Sequence, residues 1–367
     1  MTIGLLKESA PETRVSLLAE SVATLTKKGI NVLVEKGAGE KAFCHDSEYE
    51  KAGAKITDAE EIAASADIIL SIHRPQVNIT GSKILVGAYQ PLYHKEVMAE
   101  LAKKGLTIFS LDMLPRTTRA QAMDILSSQA NIAGYKAVLL AANIYGRYFP
   151  MFMTAAGSIA PAKVLILGAG VAGLQAIATA RRLGAVVEVF DTRPAVKEEV
   201  MSLGAKFVEV EGAADASKAG GYAVEQTEEY RQKQQQRIAD SIAKADIVIT
   251  TAQIPGKKAP ILITEAMMDN MRNGSVIIDI AAATGGNTPL TKNSETVVYK
   301  GVTIAGNSNL PATLPSDASK LYGKNILNFL QLIIDKTPAV HLNFEDDLVK
   351  GSCIVYGGAV VHESVKS

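Results

Sequence analysis

Residues 163–191 read KVLILGAGVAGLQAIATARRLGAVVEVFD, and this stretch is the strongest indication of the fold of the second half of the chain. An apolar run, KVLIL, precedes three glycines in the spacing GxGxxG, at Gly168, Gly170 and Gly173, and an amphipathic stretch comes after them. The first glycine of such a pattern permits a tight turn, the second lets backbone approach a pyrophosphate, and the third lets the helix pack on the strand. The stretch therefore predicts a strand, a dinucleotide-binding turn and a helix.

The acid at the end of the next apolar run supports this interpretation. Asp191 follows VVEVF, 23 residues after Gly168, where a carboxylate would bind the ribose hydroxyls of a dinucleotide. An acid there disfavours a 2′-phosphate and so favours NAD(H) over NADP(H). Arg193 has two interpretations. In the first it pairs with the 2′-phosphate of NADP(H). In the second it is a solvated charge, or a neighbour of the pyrophosphate or adenine. The alternative to the whole pattern is an ordinary tight turn in an α/β protein.

Short apolar runs alternate with amphipathic stretches along the chain, which predicts βαβ units on parallel sheets. In the second half the candidate strands are KVLIL, VVEVF, GAKFVEV, ADIVITTA, SVIIDIA and VTIAG, the number expected for a dinucleotide-binding doubly wound sheet. Further helices are predicted near 224–244 and 264–271. In the first half the candidate strands are TIGLLKE, INVLVEKGAG, ADIILSI, KILVGAY and LTIFSLDML, and the candidate helices are SLLAESVATLTKKG and HKEVMAELAKKG, each ending at a glycine.

We therefore predict an α/β chain of two Rossmann-like doubly wound domains with a cleft between them. A long helix from Arg119 to about Tyr145 would connect them. After a helix at 316–334, the tail FEDDLVKGSCIVYGGAVV contains hairpin-like strands that would return to the first domain. The N-terminal domain is then discontinuous, comprising residues 1–125 plus 313–367, and residues 126–312 form the NAD(H)-binding Rossmann domain.

Composition argues against several classes of function. The 367 residues suffice for about two domains, and 38 Lys+Arg against 38 Asp+Glu gives no electrostatic reason to expect nucleic acid. Cys44 and Cys353 form no CxxC pair and the histidines show no metal-ligand spacing, so neither a disulfide framework nor a metal site is predicted. The apolar runs fall short of the ~20 residues of a spanning helix, and no signal sequence is evident. We expect a chain without direct membrane insertion, in a reducing compartment.

A second group of polar residues lies in LPRTTRAQAMDILSSQ. Gln121, Asp124 and Ser127 recur at i, i+3 and i+6, along one drifting face of the predicted helix, and Arg116 precedes them. A guanidinium, an amide and a carboxylate at a domain junction could bind the nicotinamide carboxamide and its ribose. The structural alternative is that Thr118-x-x-Gln121 forms a capping box and leaves Asp124 as an ordinary surface acid.

A third group lies between Glu211 and about Val224, in a long segment that precedes a polar helix. Loops of this length inside a sheet domain are often lids or binding elements. Gly220-Gly221 would act as a hinge, and Tyr222 as an amphipathic tip that closes over a ligand or contacts a partner. The alternative is a plain surface loop.

Taken together, these stretches resemble one family over essentially the whole chain, the NAD(H)-binding alpha-subunit component of proton-translocating nicotinamide nucleotide transhydrogenase. The resemblance rests on LPRTTRAQAMDILSSQANIAGYKAV, FPMFMTAAGSIAPAKVLILGAGVAGLQAIATARRLGA, AGGYAVE, TTAQIPGKKAPILIT and GSVIIDIAA. It implies that Arg116, Gln121 and Asp124 hold the nicotinamide end, and that Tyr222 tips a mobile loop that closes on bound nucleotide. Together with the glycine turn, the predicted nucleotide contacts are Arg116, Thr117, Thr118, Arg119, Gln121, Asp124, Ser127, Gly168, Gly170, Val171, Gly173, Asp191, Thr192, Arg193, Gly221, Tyr222, Gln234 and Gln253.

The resemblance also implies partners. It implies a homodimer on the cytoplasmic face of the cell membrane, attached through a membrane-spanning subunit, with a beta subunit that binds NADP(H). Hydride would pass directly between NADH on this chain and NADP⁺ on the beta subunit, and the membrane partner would translocate protons.

Alanine dehydrogenase resembles the chain more distantly, including the Arg14-Val15 start. That enzyme uses a lysine before the proline of a KxP-like strand end and a histidine at the next strand end, where this chain has His73 and Gln90. Without that lysine and histidine, amino-acid oxidation is expected to fail. Direct hydride transfer needs only orientation and exclusion of water. A third alternative is a non-catalytic NAD(H)-binding sensor.

Overall fold

The chain forms two compact units in a computed structural model, which describes residues 1–210, 212 and 227–366. The first unit comprises Met1–Gln129 and the chain from Ala312 onward, and the second is Ala130–Pro311. Each unit contains its own mostly parallel sheet with helices between successive strands. The predicted α/β class with Rossmann-like, doubly wound sheets is confirmed.

The described residues form strands, α-helices and short 3₁₀ helices. The strands are β1 Thr2–Leu5, β2 Asn31–Glu35, β3 Lys55–Thr57, β4 Ile68–Leu70, β5 Ile84–Gly87, β6 Thr107–Ser110, β7 Phe152–Thr154, β8 Gly157–Ile159, β9 Lys163–Leu167, β10 Val186–Phe190, β11 Lys206–Phe207, β12 Ile247–Thr250, β13 Val276–Asp279, β14 Thr296–Tyr299, β15 Val302–Ala305, β16 Cys353–Tyr356 and β17 Ala359–Val360. The α-helices are α1 Ala19–Thr26, α2 Asp46–Lys51, α3 Ala59–Ser65, α4 Lys95–Lys103, α5 Ile125–Ile144, α6 Val171–Arg182, α7 Lys197–Ser202, α8 Glu228–Ile242, α9 Glu265–Met268, α10 Pro315–Ile333 and α11 Asp347–Ser352. Short 3₁₀ helices span Glu40–Ala42, Leu111–Met113, Thr118–Met123, Pro194–Val196, Ala282–Thr284 and Leu310–Thr313.

The sheet of the first unit has the strand order β17-β16-β6-β5-β4-β1-β2-β3. Strands β1 to β6 pair in parallel, and β1 lies between β2 and β4. The order of strand addition reverses at β1, so the carboxyl ends of β1 and β4 flank the crevice where sheets of this kind bind ligands. Strand β16 pairs antiparallel with β6, with Cys353 opposite Phe109, and extends the sheet beyond β6.

The sheet of the second unit has the order β11-β10-β9-β12-β13-β15-β14. Strand β9 lies between β10 and β12, with Val164 opposite both Val187 and Ile247. The six predicted strands are all present and parallel, and the edge strand β14 pairs antiparallel with β15. The crevice of this sheet therefore lies at the carboxyl ends of β9 and β12. The glycine turn follows β9 and so lies beside this crevice.

Both sheets are buried on both faces. In β4, Ile68 and Leu70 contribute to one core and Ile69 to the core on the opposite face. In β9, Val164 and Ile166 likewise face one core while Leu165 and Leu167 face the other. Continuous apolar strands are what a parallel sheet covered on both faces requires.

The prediction of one helix from Arg119 to about Tyr145 is wrong. A 3₁₀ helix, Thr118–Met123, precedes α5, and the extended backbone of Asp124 separates the two. The alternative of a capping box that begins at Thr118 is also wrong, because the residue that precedes this 3₁₀ helix is Thr117 and its side chain makes no capping hydrogen bond.

Several short elements go beyond the sequence prediction. These include β3, β14, an antiparallel hairpin of β7 and β8, and the helices α2, α3, α7 and α11. The predicted helix ends are confirmed at Gly29 and Gly105, both with a φ of +78° after the last helical turn. Within the described part of the chain, no helix has the length and apolar character to cross a bilayer.

Candidate functional site

The glycine turn of the second unit has the geometry that its sequence predicts. Gly168 follows β9 with a φ of +108°, and a Cβ there would lie 2.3 Å from Thr251 Oγ1. A Cβ on Gly173 would lie 1.9 Å from the carbonyl oxygen of Gly168, so helix and turn are in backbone contact. A Cβ on Gly170 would meet nothing within 4 Å. A side chain is thus excluded at Gly168 by backbone conformation and packing and at Gly173 by packing, whereas Gly170 borders open space.

Helix α6 begins immediately after this open space. Gly170 is its N-cap residue, and Val171, the first helical residue, is 39% exposed. The first N–H groups of a helix lack intrahelical partners, and the helix dipole places partial positive charge there. An accessible helix start beside a glycine without steric neighbours fits the pyrophosphate of a dinucleotide.

Asp191 connects the turn to the end of β10. Its Oδ2 accepts a hydrogen bond of 2.7 Å from the backbone N–H of Ala169, inside the turn. The guanidinium of Arg193 donates to Oδ1 from Nε at 2.9 Å and to Oδ2 from Nη2 at 2.7 Å. Asp191 is 9% exposed, and these hydrogen bonds raise the pKa of Arg193. Arg193 is therefore paired with Asp191 and is not an isolated solvated charge.

The other predicted contacts of the second unit lie on different elements. Gln253, in the loop after β12, is exposed and donates from Nε2 to the carbonyl oxygen of Ile280 at 3.3 Å. Thr192 is half-buried beside Asp191, and Gln234 is half-buried on α8. The predicted contacts Gly221 and Tyr222 lie outside the described residues.

The predicted contacts of the first unit lie around the 3₁₀ helix and the start of α5. Arg116 and Gln121 are exposed. Asp124 is the residue before α5, and its carboxylate accepts from the backbone N–H of Ser127 at 2.9 Å and from Ser127 Oγ at 2.6 Å. Asp124 and Ser127 therefore cap the N-terminus of α5. Both residues are also predicted nucleotide contacts.

Helix α10 holds this segment in place. The carbonyl oxygen of Ala122 accepts from Asn325 Nδ2 at 2.8 Å and from Asn328 Nδ2 at 3.0 Å. The Oγ of Ser128 donates to Asn325 Oδ1 at 2.7 Å. Hydrogen bonds from α10 thus fix the backbone between Gln121 and Asp124. The exposed side chains of this segment therefore extend from a fixed backbone.

Thr117, Thr118 and Arg119 are exposed in the same segment. Arg119 donates from both terminal nitrogens to Asp346 at 2.6 Å and also pairs with Asp347. These hydrogen bonds lower the pKa of Asp346, with Arg119 as the main cause. Arg119, although predicted to contact nucleotide, therefore forms ion pairs with two aspartates of its own chain.

A charged cluster that the sequence analysis missed lies after β1. Glu12, 3% exposed, accepts from Arg14 Nη2 at 2.7 Å and interacts with His73 Nε2 at 3.0 Å. Burial raises the pKa of Glu12, but hydrogen bonds from Arg14 and His73 outweigh it and hold that pKa well below its usual range. Residue spacing gives no signal for the His73 contact, because it joins positions 61 residues apart.

The adjoining crevice of the first sheet contains a cavity of about 450 Å³. Glu8, Glu35 and Glu60 line it together with His73 and Arg74. Glu8 accepts from the backbone N–H groups of Ile72 and His73, yet its burial is the larger effect and raises its pKa. Lys7 also lines the cavity, so its walls carry charges of both signs.

The two halves of the chain match two domains of one family. Residues 4–133 match the alanine dehydrogenase/PNT N-terminal domain, and residues 137–363 match the alanine dehydrogenase/PNT C-terminal domain. The chain belongs to the alanine dehydrogenase/PNT family. Both branches of the family that the sequence analysis named are found among its relatives.

Members of the alanine dehydrogenase/PNT family align over the full length of the chain. A component of NAD(P) transhydrogenase subunit alpha from Rhodospirillum rubrum is 45% identical, with 100% of this chain and 99% of the relative covered. A crystal structure of transhydrogenase from Sinorhizobium meliloti has a TM-score of 0.90 at 46% identity, covering 98% of this chain and 100% of the other. An L-alanine dehydrogenase structure has a TM-score of 0.82 at 26% identity, covering 100% and 98%. The predicted resemblance to transhydrogenase alpha subunits, and a more distant one to alanine dehydrogenase, is confirmed.

Proposed function

We propose that the chain is the NAD(H)-binding subunit of a proton-translocating transhydrogenase. The observation that carries the proposal is the hydrogen bond between Asp191 and Ala169. It holds the Asp191 carboxylate against the glycine turn. The carboxylate would bind the ribose, and the turn would bind the pyrophosphate. Gly168, Gly170, Val171 and Gly173 would bind the pyrophosphate, and Asp191 would bind the adenosine ribose. The similarity to transhydrogenase alpha subunits supports the same assignment.

When bound, NADH would supply a hydride to NADP⁺ on a partner, so that the first nicotinamide would be oxidised and the second reduced. The role of this chain is to bind, orient and exclude water. Arg116, Gln121 and Asp124 would orient the nicotinamide end, with Ser127 holding the carboxylate of Asp124. No proton transfer from the protein is required, which agrees with the engagement of His73 by Glu12.

The name of the Rhodospirillum rubrum relative, which designates a component of a subunit, supports the existence of partner subunits. We propose a homodimer on the inner face of the cell membrane, attached through a membrane-spanning subunit. A beta subunit would bind NADP(H), and the membrane partner would couple the transfer to proton translocation. The chain alone would bind NAD(H) without turnover.

Stopped-flow spectroscopy tests the proposal. The purified chain loaded with NADH is mixed with a transhydrogenase beta-subunit nucleotide domain loaded with NADP⁺, and an assay with L-alanine and NAD⁺ serves as the control. Rapid transfer in the mixture alone is the expected result. Alanine-dependent reduction of NAD⁺ by the chain alone, without transfer in the mixture, would establish the alanine dehydrogenase alternative. NADH binding with neither reaction would indicate a sensor.

A further inference from the structure

Asn287 is a fully buried asparagine that joins both ends of the loop after β12. Its Nδ2 donates to the carbonyl oxygens of Ala252 at 2.9 Å and Pro260 at 2.8 Å, and its Oδ1 accepts from the N–H of Ala252 at 3.2 Å. Its own carbonyl oxygen accepts from the N–H groups of Leu262 and Ile263 at 2.9 and 3.1 Å. One residue thus holds the start and the end of the segment 252–263.

Asp279 in turn holds Asn287. The fully buried carboxylate at the end of β13 accepts from the N–H of Asn287 at 2.6 Å and from Thr291 Oγ1 at 2.6 Å. Gly286, with a φ of +77°, allows this close approach, because a Cβ there would lie 2.8 Å from Asp279 Oδ2. The position of Asn287 is therefore set by three residues that do not belong to the loop.

The other side of the loop is attached to the glycine turn. Thr251 lies between β12 and Ala252, and its backbone N–H donates to the carbonyl oxygen of Leu167 at 3.0 Å. Its Oγ1 lies 3.3 Å from the carbonyl oxygen of Gly168. The segment that carries Gln253 is consequently fixed between the turn on one side and Asn287 on the other.

The strand order assigns this loop to one half of a dinucleotide. Asp191, at the end of β10, lies on one side of β9, while β12 and β13 lie on the opposite side. If Asp191 binds the adenosine ribose and the turn binds the pyrophosphate, the nicotinamide half must extend over the ends of β12 and β13. We propose that Asn287 is a positioning residue that fixes the 252–263 loop, and with it Gln253, against the nicotinamide half. This inference rests on the proposed function.

Isothermal titration of Asn287→Asp with NADH and with ADP-ribose tests the proposal. Aspartate keeps the shape but replaces the donor to Ala252 and Pro260 by an acceptor, and a buried unsatisfied carbonyl is costly. The matched control is Asn270→Asp, which removes a single exposed bond from Asn270 Nδ2 to the carbonyl oxygen of Ala266. We expect the Kd for NADH to rise about tenfold in Asn287→Asp while the Kd for ADP-ribose changes by less than about twofold. The control should change neither.

Hydrogen exchange of the ligand-free protein gives a second readout that does not depend on nucleotide. Exchange of residues 252–263 should accelerate in Asn287→Asp, whereas exchange of residues 163–177 should match the unmodified chain. If Asn287→Asp accelerates exchange everywhere, Asn287→Ser, which retains one donor, replaces it in both experiments.

The outcomes separate this inference from the proposed function. An equal loss of affinity for NADH and ADP-ribose, or an unchanged affinity for NADH, would overturn the positioning role. Failure of the unmodified chain to bind either ligand would overturn the proposed function and the inference with it.

Discussion

The carboxylate of Asp191 accepts hydrogen bonds from a neutral backbone N–H and from a guanidinium at the same time. Hydrogen bonds to charged groups contribute more than neutral ones, about 1.5–3 kcal/mol each. Arg193 is therefore engaged by Asp191. If Asp191 binds the ribose of a dinucleotide, its carboxylate would repel a 2′-phosphate there and would compete with that phosphate for Arg193.

Asp191→Asn should weaken NADH binding about tenfold and narrow the preference for NADH over NADPH by a similar factor. The reason is that the substitution removes the negative charge and releases Arg193 to pair with the 2′-phosphate. Isothermal titration with both nucleotides measures the two affinities. In the double variant Asp191→Asn with Arg193→Leu, NADPH should bind more weakly than in Asp191→Asn, because the guanidinium that would pair with the 2′-phosphate is gone. An unchanged nucleotide preference would show that the acid does not lie at the ribose.

Glu12 provides a prediction on stability. Glu12→Gln should lower the free energy of unfolding at pH 7 by about 3 kcal/mol, because it leaves the buried guanidinium of Arg14 without its anion. The pKa of Glu12 is lower in the folded chain than its ordinary value of 4.5, so its contribution is present above that pH and is lost as the pH falls below it. The difference between variant and unmodified chain should therefore shrink as the pH falls below about 4.5.

Urea unfolding at several pH values measures this difference. Glu61→Gln is a suitable control, since Glu61 pairs with Lys55 at the exposed surface and such pairs contribute little. A difference that grows as the pH falls below about 4.5 would contradict the lowered pKa of Glu12.

At the scale of elements, the start of α5 combines a structural role and a proposed functional one. Asp124→Ala should lower the free energy of unfolding by about 1 kcal/mol through loss of the N-terminal cap, whereas Asp124→Asn should retain most of the stability because asparagine also caps well. Both variants should slow hydride transfer in the presence of the partner domain. Chemical denaturation and stopped-flow spectroscopy separate the two effects. If Asp124→Asn transferred hydride at the original rate, the carboxylate would have only a capping role.

Arg116→Ala addresses the same segment without disturbing the cap. We expect hydride transfer to fall much further than NADH affinity, since the adenine half and Asp191 carry much of the binding energy. Comparison of the single-turnover rate with the Kd for NADH measures this split. Parallel losses in rate and affinity would place Arg116 in simple binding.

Local elements could be predicted from the sequence where the determinants are close together in the chain. The unit of β9, the glycine turn and α6 is an example, because Gly168, Gly170 and Gly173 each meet a requirement of the turn or of the start of α6. The break at Asp124 was missed, although an acid three residues before Ser127 is a recognisable cap. The contacts of Asn287 with Ala252 and Pro260 and of Glu12 with His73 could not be found, because they join residues 27 to 61 positions apart and only the folded sheets bring them together. The short strand β3 lacks a run long enough to recognise.

At the scale of the whole molecule, the two sheets share one topology. Counting from the first strand of each, both have the parallel order 3-2-1-4-5 around a reversal beside the first strand. The loops after these first strands differ in chemistry. In the second unit the loop contains three glycines and an accessible helix start, whereas in the first it contains no glycine and carries charges of both signs, on Lys7, Glu8, Glu12 and Arg14.

This contrast determines binding stoichiometry. A dinucleotide brings two phosphate charges to the crevice of a doubly wound sheet, and the glycine turn and accessible start of α6 in the second unit would bind them, whereas the loop after β1 in the first unit contains no glycine. We therefore expect one NADH per chain in a calorimetric titration, even though the chain folds twice into a shape that elsewhere binds such ligands. A second equivalent with similar affinity would contradict this expectation. Repetition of a topology thus yields one glycine turn, and with it one expected nucleotide site.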